Sequence, residues 1–326
     1  MRQPQAHLTF PNVMNLRNAL WVGSLLILPV AATFGQSETT DSARFQNHRY
    51  NEFFRCNRDP SYISPNGELG APGKYVINGE LIASYFLLAS PKSRVSVAVT
   101  QRFMARVRTD RSSPIRTPSF RLGAQVFYRL GSDVTRYKYL EGQFFHHSNG
   151  QDGDVFRPNG TYNTETGDFS TNYVQATYNW GTHFANRHGT HYNLGYRWHA
   201  PIFNASEGLK GQYGFARVLG QATYRLLSRT NAEHSPTLTT ERLRLTLQAS
   251  YAVNPLDNWE LGAARRRLNA ELTVWYIPPF SRDAGLFTTV GYYGEDPYNI
   301  YFNDRYAFVR FGIAAGFTRY SDEVRR

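Results

Sequence analysis

From residue 70 onward the chain repeats one pattern. Stretches of about ten residues alternate strictly between apolar and polar side chains, and turn-forming residues separate them. In Arg242–Val253, Leu243, Leu245, Leu247, Ala249 and Tyr251 share one parity, while Arg242, Arg244, Thr246, Gln248 and Ser250 share the other. The last run behaves alike: Ala307, Val309, Phe311, Ile313, Ala315 and Phe317 oppose Tyr306, Arg310, Gly312, Gly316 and Thr318. Successive strand side chains point to opposite faces, so each run is a strand with one apolar and one polar face. Such runs lie at 78–90, 94–108, 119–130, 136–148, 171–180, 191–203, 213–226, 242–253, 269–279, 284–293 and 305–318. A weaker one at 48–55 brings the total to twelve. Tyr137, Tyr139, Trp180, Tyr276, Tyr292 and Tyr293 lie near run ends, where aromatic girdles belong. The pattern predicts an all-β, antiparallel up-and-down transmembrane β-barrel of twelve strands, with both termini on the periplasmic side.

The start of the chain sets the compartment. Arg17 precedes the apolar run Ala19–Ala32, and polar Gln36, Ser37 and Glu38 follow. A basic residue, about a dozen apolar residues and small residues at the end make a secretory signal peptide, and the run is too short for a membrane span of about 20 residues. The expected layout is a signal peptide over 1–35, cleaved between Ala32 and Gln36, with Met14 an alternative start. A periplasmic arm over 36–75 carries the weak first strand, and the barrel occupies 76–326. A mean hydropathy of −0.49 excludes a bundle of transmembrane helices. The single cysteine, Cys56, excludes an internal disulfide and a cysteine-based zinc site. A net charge of +11 suits an anionic partner. For an exported barrel that partner is a lipid headgroup or lipopolysaccharide rather than nucleic acid, and Arg265, Arg266 and Arg267 are its expected contacts.

With the first strand rising from the periplasm, the external loops are 109–118, 149–170, 204–212, 254–268 and 294–304. They exceed the turns at 91–93, 131–135 and 280–283, as the architecture requires. The connection at 227–241 is long for a periplasmic turn.

Most such barrels are pores, and one segment disturbs that expectation: Phe144-Phe145-His146-His147-Ser148-Asn149-Gly150. His146 and Ser148 stand two apart, on the same face as Leu140, Gly142 and Phe144; the opposite, inward parity carries Tyr137, Tyr139, Glu141, Gln143, Phe145 and His147. His146 and Ser148 therefore face lipid near the outer leaflet, where polar groups are costly. In the next strand Asn172 continues the apolar parity of Val174, Ala176, Tyr178 and Trp180. Side chains on neighbouring strands meet within about 5–8 Å, so the three polar residues share one patch. Serine needs a base to take its proton, which His146 can supply. The imidazole needs an acceptor at Nδ1, which the Asn172 amide oxygen can supply. Backbone amides of the Ser148-Asn149-Gly150 turn, those of Ser148 and Gly150, can form an oxyanion hole. A serine nucleophile facing lipid has a lipid ester as its substrate.

His146-His147-Ser148-Asn149-Gly150 and Ser170-Thr171-Asn172 resemble the corresponding motifs of the outer-membrane phospholipase A family. Ser112-Ser113-Pro114-Ile115-Arg116, flanked by Thr100-Gln101 and Gln125-Val126-Phe127, resembles an external loop of the same family. The likeness spans roughly 95–180. It implies a twelve-stranded barrel that hydrolyses acyl esters of phospholipids, requires calcium and is active as a homodimer. Carried over position by position, Ser148 is the nucleophile, His146 the base and Asn172 the orienting residue. Ser112, the Gln151 carbonyl and Asp168 become the calcium ligands, Asp168 standing where the family has a hydroxyl. The sequence departs from the family in its long 149–170 loop and in Gln151, where a basic residue is usual. Asp152, Asp154 and Glu165 in that loop are expected to be solvated. The competing expectation is a non-catalytic barrel, a passive pore or a structural one, although bulky inward side chains argue for a filled interior.

Overall fold

The structure, a computed structural model, describes residues 40–109, 115, 118–184, 187–199, 205–230, 238–281, 284–317 and 319–321. Helix α1 (Asp41–Cys56) comes first, followed by β1 (Ser61–Pro65), β2 (Tyr75–Leu88), β3 (Val95–Arg108), β4 (Ser119–Arg129) and β5 (Arg136–Ser148). Then come β6 (Thr171–Phe184), β7 (His188–Trp198), β8 (Ala216–Thr230) and β9 (Leu238–Ala252). A one-turn helix, α2 (Ala264–Arg267), leads into β10 (Leu268–Tyr276), β11 (Ala284–Tyr293), β12 (Tyr306–Ala315) and β13 (Arg319–Ser321). Every strand from β1 to β12 pairs antiparallel with the next, and β1 joins β12 through Ser61↔Ala315 to close the sheet. The result is a closed twelve-stranded up-and-down barrel. β13 adds a short pairing to the start of β9 (Arg319↔Thr240).

The period-two reading holds along the strands. In β9, Leu245 and Leu247 are exposed on the outside, whereas Arg244 and Thr246 are buried inside. In β12, Val309, Phe311 and Ile313 face out, and Tyr306, Phe308 and Arg310 face in. Phe317, past the end of β12, turns inward onto Trp275. Of the expected girdle residues, Trp180, Tyr276 and Tyr292 follow the outward parity of their strands, but Tyr137, Tyr139 and Tyr293 are buried in the interior. An apolar outer surface of this size is what a membrane-facing barrel presents.

The twelfth strand is not at 48–55. Those residues belong to α1, and β1 at Ser61–Pro65 completes the barrel. The segment Asp41–Cys56 contains no β-branched residue, glycine or proline, so neither a stiff χ1 nor a helix breaker opposes a helix there. Thr40 caps the helix by accepting the Ala43 N–H at 3.3 Å, Asp41 sits in the first turn and Arg55 in the last, both matched to the helix dipole. Asn47, Tyr50, Asn51, Phe53 and Phe54 fall on one helical face and are buried. Tyr50, Phe53 and Phe54 pack with Phe127, Tyr137, Tyr139 and Leu227 of the strands, Phe54 stacking on Phe127 with ring centroids 4.8 Å apart. Burying each such phenylalanine contributes about 1.5–3 kcal/mol. Asn47 Nδ2 donates to the Pro91 carbonyl at 3.0 Å, and Tyr50 donates to the Asp133 carbonyl at 3.1 Å, fastening α1 to the short-turn end of the barrel.

The connection read as 227–241 shortens to 231–237, because β8 runs to Thr230 and β9 begins at Leu238. The six connections at one end (66–74, 109–118, 149–170, 199–215, 253–267, 294–305) therefore all exceed the five at the other (89–94, 130–135, 185–187, 231–237, 277–283). At the long-loop end Phe169, Leu209, Tyr213, Tyr298, Ile300 and Phe302 form a second apolar cluster. Between these two caps the interior is polar and charge-paired. Arg106 meets Glu68 (3.0 Å) and Asp296 (2.7 Å), and Arg310 meets Glu68 (2.7 Å) and Glu271 (2.9 Å). Arg225 and Arg244 share Glu241, each at 2.8 Å. Each of these buried charges thus has a partner of opposite sign, which a low-dielectric interior demands. A cavity of about 330 Å³ remains in the middle, lined by Arg102, Glu80, Gln125 and Glu141 among others.

Candidate active site

β5 and β6 pair in a register that sets His146 opposite Asn172. Both are half-buried on the outward face, and His146 Nδ1 lies 2.9 Å from Asn172 Oδ1. An amide oxygen only accepts, so Nδ1 carries the proton and Nε2 keeps its lone pair. That is the tautomer a general base requires. Ser148 is two residues along the same strand and on the same face. Its hydroxyl makes no hydrogen bond to the imidazole in this structure; serine–base contacts are often loose until substrate binds.

Around the three residues the outward face is apolar. Phe120 pairs opposite Ser148 and Leu122, exposed, opposite His146. Gly150 has a φ of +66°, and a Cβ there would come within 3.2 Å of the Phe120 ring. A glycine therefore permits both the turn after Ser148 and the close approach to Phe120. The Gly150 N–H has no acceptor among the described residues and is free to receive a ligand oxygen.

Two asparagines that carried no role in the sequence reading hold this corner together. Asn149 is buried; its Nδ2 donates to the Gly167 carbonyl at 2.8 Å and its Oδ1 accepts the Phe169 N–H at 2.9 Å. It ties the turn after Ser148 to the approach to Asn172. Asn299 Nδ2 reaches the carbonyls of His147 and Phe169, each at 3.3 Å, from the loop between β11 and β12. Asn149 stood inside the recognised motif, but its partners are 18 and 20 residues away, and Asn299 sits in a loop with no periodic signal.

The long 149–170 loop folds inward. Val155, Tyr162 and Phe169 pack with Leu209, Ile300 and Phe302 over the barrel mouth, leaving the outward patch uncovered by them. Asp152 and Asp154 are exposed and Glu165 pairs with Arg157 at 3.4 Å, as solvated loop acids should. Of the expected calcium ligands, Ser112 lies outside the described residues. Gln151 and Asp168 are both half-buried, and the Asp168 N–H donates to the Gly153 carbonyl at 2.9 Å. Among the described residues no group of three His, Cys, Asp or Glu side chains converges. The donor set present does not by itself make the oxygen-rich cage that calcium prefers. Arg266 and Arg267 are not headgroup contacts: both are buried and spend their N–H groups on backbone carbonyls of Gly294, Phe302, Ala252, Asn254, Trp259 and Glu260.

No protein-family model matches the chain, and no curated protein does. Solved structures do. The chain is similar to the outer membrane phospholipase A from Escherichia coli, at 14% identity and a TM-score of 0.52 over 79% of this chain and 96% of that one. It is similar also to the Salmonella typhi outer membrane phospholipase dimer with bound calcium, at 14% identity and a TM-score of 0.53 over 83% of this chain and 97% of that one. The likeness is one of fold. This barrel has the architecture of those phospholipase barrels.

Proposed function

We propose that the protein is an outer-membrane phospholipase A that hydrolyses acyl esters of phospholipids through a Ser148 acyl-enzyme. The observation that supports this most is the hydrogen bond from His146 Nδ1 to Asn172 Oδ1 at 2.9 Å, on the outward face that also carries Ser148. Polar side chains facing lipid are costly unless they serve a purpose. In this reading the Ser148 Oγ attacks the acyl carbonyl carbon while His146 Nε2 takes its proton. Asn172 holds the ring through Nδ1 as charge develops on it, and the amides of Ser148 and Gly150 receive the oxyanion. The tetrahedral intermediate collapses, the ester C–O bond breaks, and His146 returns the proton to the departing lysophospholipid oxygen. Water then repeats the sequence on the acyl-enzyme and releases the fatty acid. A neutral asparagine suits a site against lipid, because an aspartate would have to stay ionised there.

Calcium and homodimerisation belong to the proposal as well. A neighbour in fold is a dimer with bound calcium, and Asp168 is a carboxylate close in sequence to Asn172. No catalytic step is derived through the ion, since the described ligands do not assemble a site. A passive pore is the weaker reading: α1 packs into one end of the interior and the Phe169–Phe302 cluster covers the other.

The test is release of fatty acid from phospholipid in detergent micelles by refolded protein, with calcium or with EDTA, beside Ser148→Ala. Calcium-dependent release that the variant lacks supports the whole reading. Equal release by the variant removes Ser148, and release unaffected by EDTA removes calcium. No release from well-folded wild type returns the barrel to a non-catalytic role.

A further inference from the structure

Two arginines at the long-loop rim differ from the others described above. Arg265, in α2, and Arg305, just before β12, are both exposed. Neither is paired with a carboxylate among the described residues, in contrast to Arg106, Arg225, Arg244 and Arg310. Each places its guanidinium carbon 4.9 Å from the centre of the same ring, that of Trp259. The indole attracts both cations through cation–π contacts, so two like charges gather about one ring. Tyr292 completes the cluster: its hydroxyl donates to the Arg265 carbonyl and fixes α2 over the end of β11. Trp259, Arg265, Tyr292 and Arg305 together line a cavity of about 330 Å³.

The position is informative. Tyr292 is the last outward-facing residue of β11, continuing the exposed series Leu286, Thr288 and Val290. On a membrane-spanning barrel an aromatic residue there sits at the interface, where headgroups lie. The arginines stand above it. Guanidinium groups are planar forks that match phosphate oxygens two at a time, and two of them lining one cavity without a paired carboxylate leave an anion as the missing partner. The nearby acids do not fill that place. Glu260 and Asp257 are exposed and make no ion pair with either arginine, Asp257 accepting instead from Gln212 at 3.3 Å. The half-buried Asp304 makes no ion pair either.

We propose that Trp259, Arg265, Tyr292 and Arg305 form a binding site for the phosphate headgroup of a membrane lipid at the outer rim of the barrel. The placement of that headgroup rests on the outer-membrane reading but not on hydrolysis. The site lies on the β9–β10 and β11–β12 connections and the adjoining end of β11, apart from the β5–β6 patch, and serves to anchor or recruit lipid rather than to cleave it.

The experiment titrates refolded full-length protein in neutral detergent micelles with lipid A, with dephosphorylated lipid A, and with inorganic phosphate, following tryptophan emission. Wild type is expected to bind the phosphorylated lipid at least about tenfold more tightly than the dephosphorylated one, and Arg265→Gln/Arg305→Gln to lose about that factor. Trp259→Phe should abolish the spectral change and so assign it to this ring. Unchanged heat-modified gel mobility of the variants establishes that they fold. Equal binding of the two lipids, or unchanged binding by the folded double variant, overturns the proposal. Inorganic phosphate binding as tightly as the lipid also overturns it, by making the ligand a free anion. Fatty-acid release measured in the same samples separates the two readings: binding without release leaves this site standing while the hydrolase falls.

Discussion

His146 and His147 are neighbours in β5, yet they live in different solvents. His146 faces outward, half-buried, and pairs with Asn172. His147 faces the interior, buried, with its Nε2 2.8 Å from the Ser119 hydroxyl. By distance alone the inner pair is the better serine–histidine dyad, since Ser148 makes no hydrogen bond to His146. But Ser119 and His147 lie beneath the loop cluster, with Asn299 bonded to the His147 carbonyl, and no lipid ester can reach them. A short hydrogen bond satisfies a buried polar group; only access to substrate makes it chemistry. The two histidines differ by one position of strand parity, and that decides which is structural.

The sharpest way to break this comparison is Ser148→Ala. Fatty-acid release should fall by about a thousandfold or more, because nothing else on the outward face replaces the nucleophile. If release instead disappears in Ser119→Ala and persists in Ser148→Ala, the assignment of the two histidines is reversed. Asn172→Ala should cost less, about 10- to 100-fold in kcat, the loss of one hydrogen bond that holds the imidazole. An unchanged kcat would leave His146 oriented by something other than Asn172. Ser119→Ala belongs to the other side of the comparison. It should leave kcat close to wild type and lower thermal stability in micelles by about 1–3 kcal/mol, the penalty for stripping a buried histidine of its partner.

The smallest effect is expected at the rim, away from both histidines. Burial, reinforced by Asp296, pushes the Asp304 carboxyl from 3.8 up to about 6. The folded protein then holds this proton more tightly than the unfolded chain, so the ionised form weakens the fold above pH 6 and the penalty vanishes below about pH 4. Asp304→Asn should stabilise the protein at pH 8, by an amount that shrinks as pH falls through 6 and is gone near 4. A gain independent of pH would mean that Asp304 is not the titrating group. Melting temperatures of the two proteins across that range measure it.

Much of the site was legible because a strand is a local object. The alternation around residues 136–148 set the parity of His146, Ser148 and His147 without knowledge of any partner, and the run at 171–180 did the same for Asn172. The pairing across β5 and β6 followed, since antiparallel neighbours joined by one loop have few other registers that keep both apolar faces outward. What failed depended on partners distant in sequence. The aromatic residues of α1 look equally suited to a strand until the interior against Phe127 and Tyr139 is present to receive them. Tyr137, Tyr139 and Tyr293 passed for girdle residues because being near a run end says nothing of which way a ring points. Arg266 and Arg267 read as surface charge because backbone carbonyls have no signature in a sequence.

By itself, then, the amino-acid order determined the barrel, its eleven long strands and which face carries Ser148, His146 and Asn172, because period-two alternation is written residue by residue. Only the tertiary structure decided what fills the barrel and where it closes. β1 is five residues long, too short to show a period, and becomes a strand because β2 and β12 each offer it an edge. The helix plug, the Asn149 and Asn299 ties and the approach of Arg305 to Trp259 likewise arise from contacts between segments tens to hundreds of residues apart, and a one-dimensional pattern does not encode such contacts.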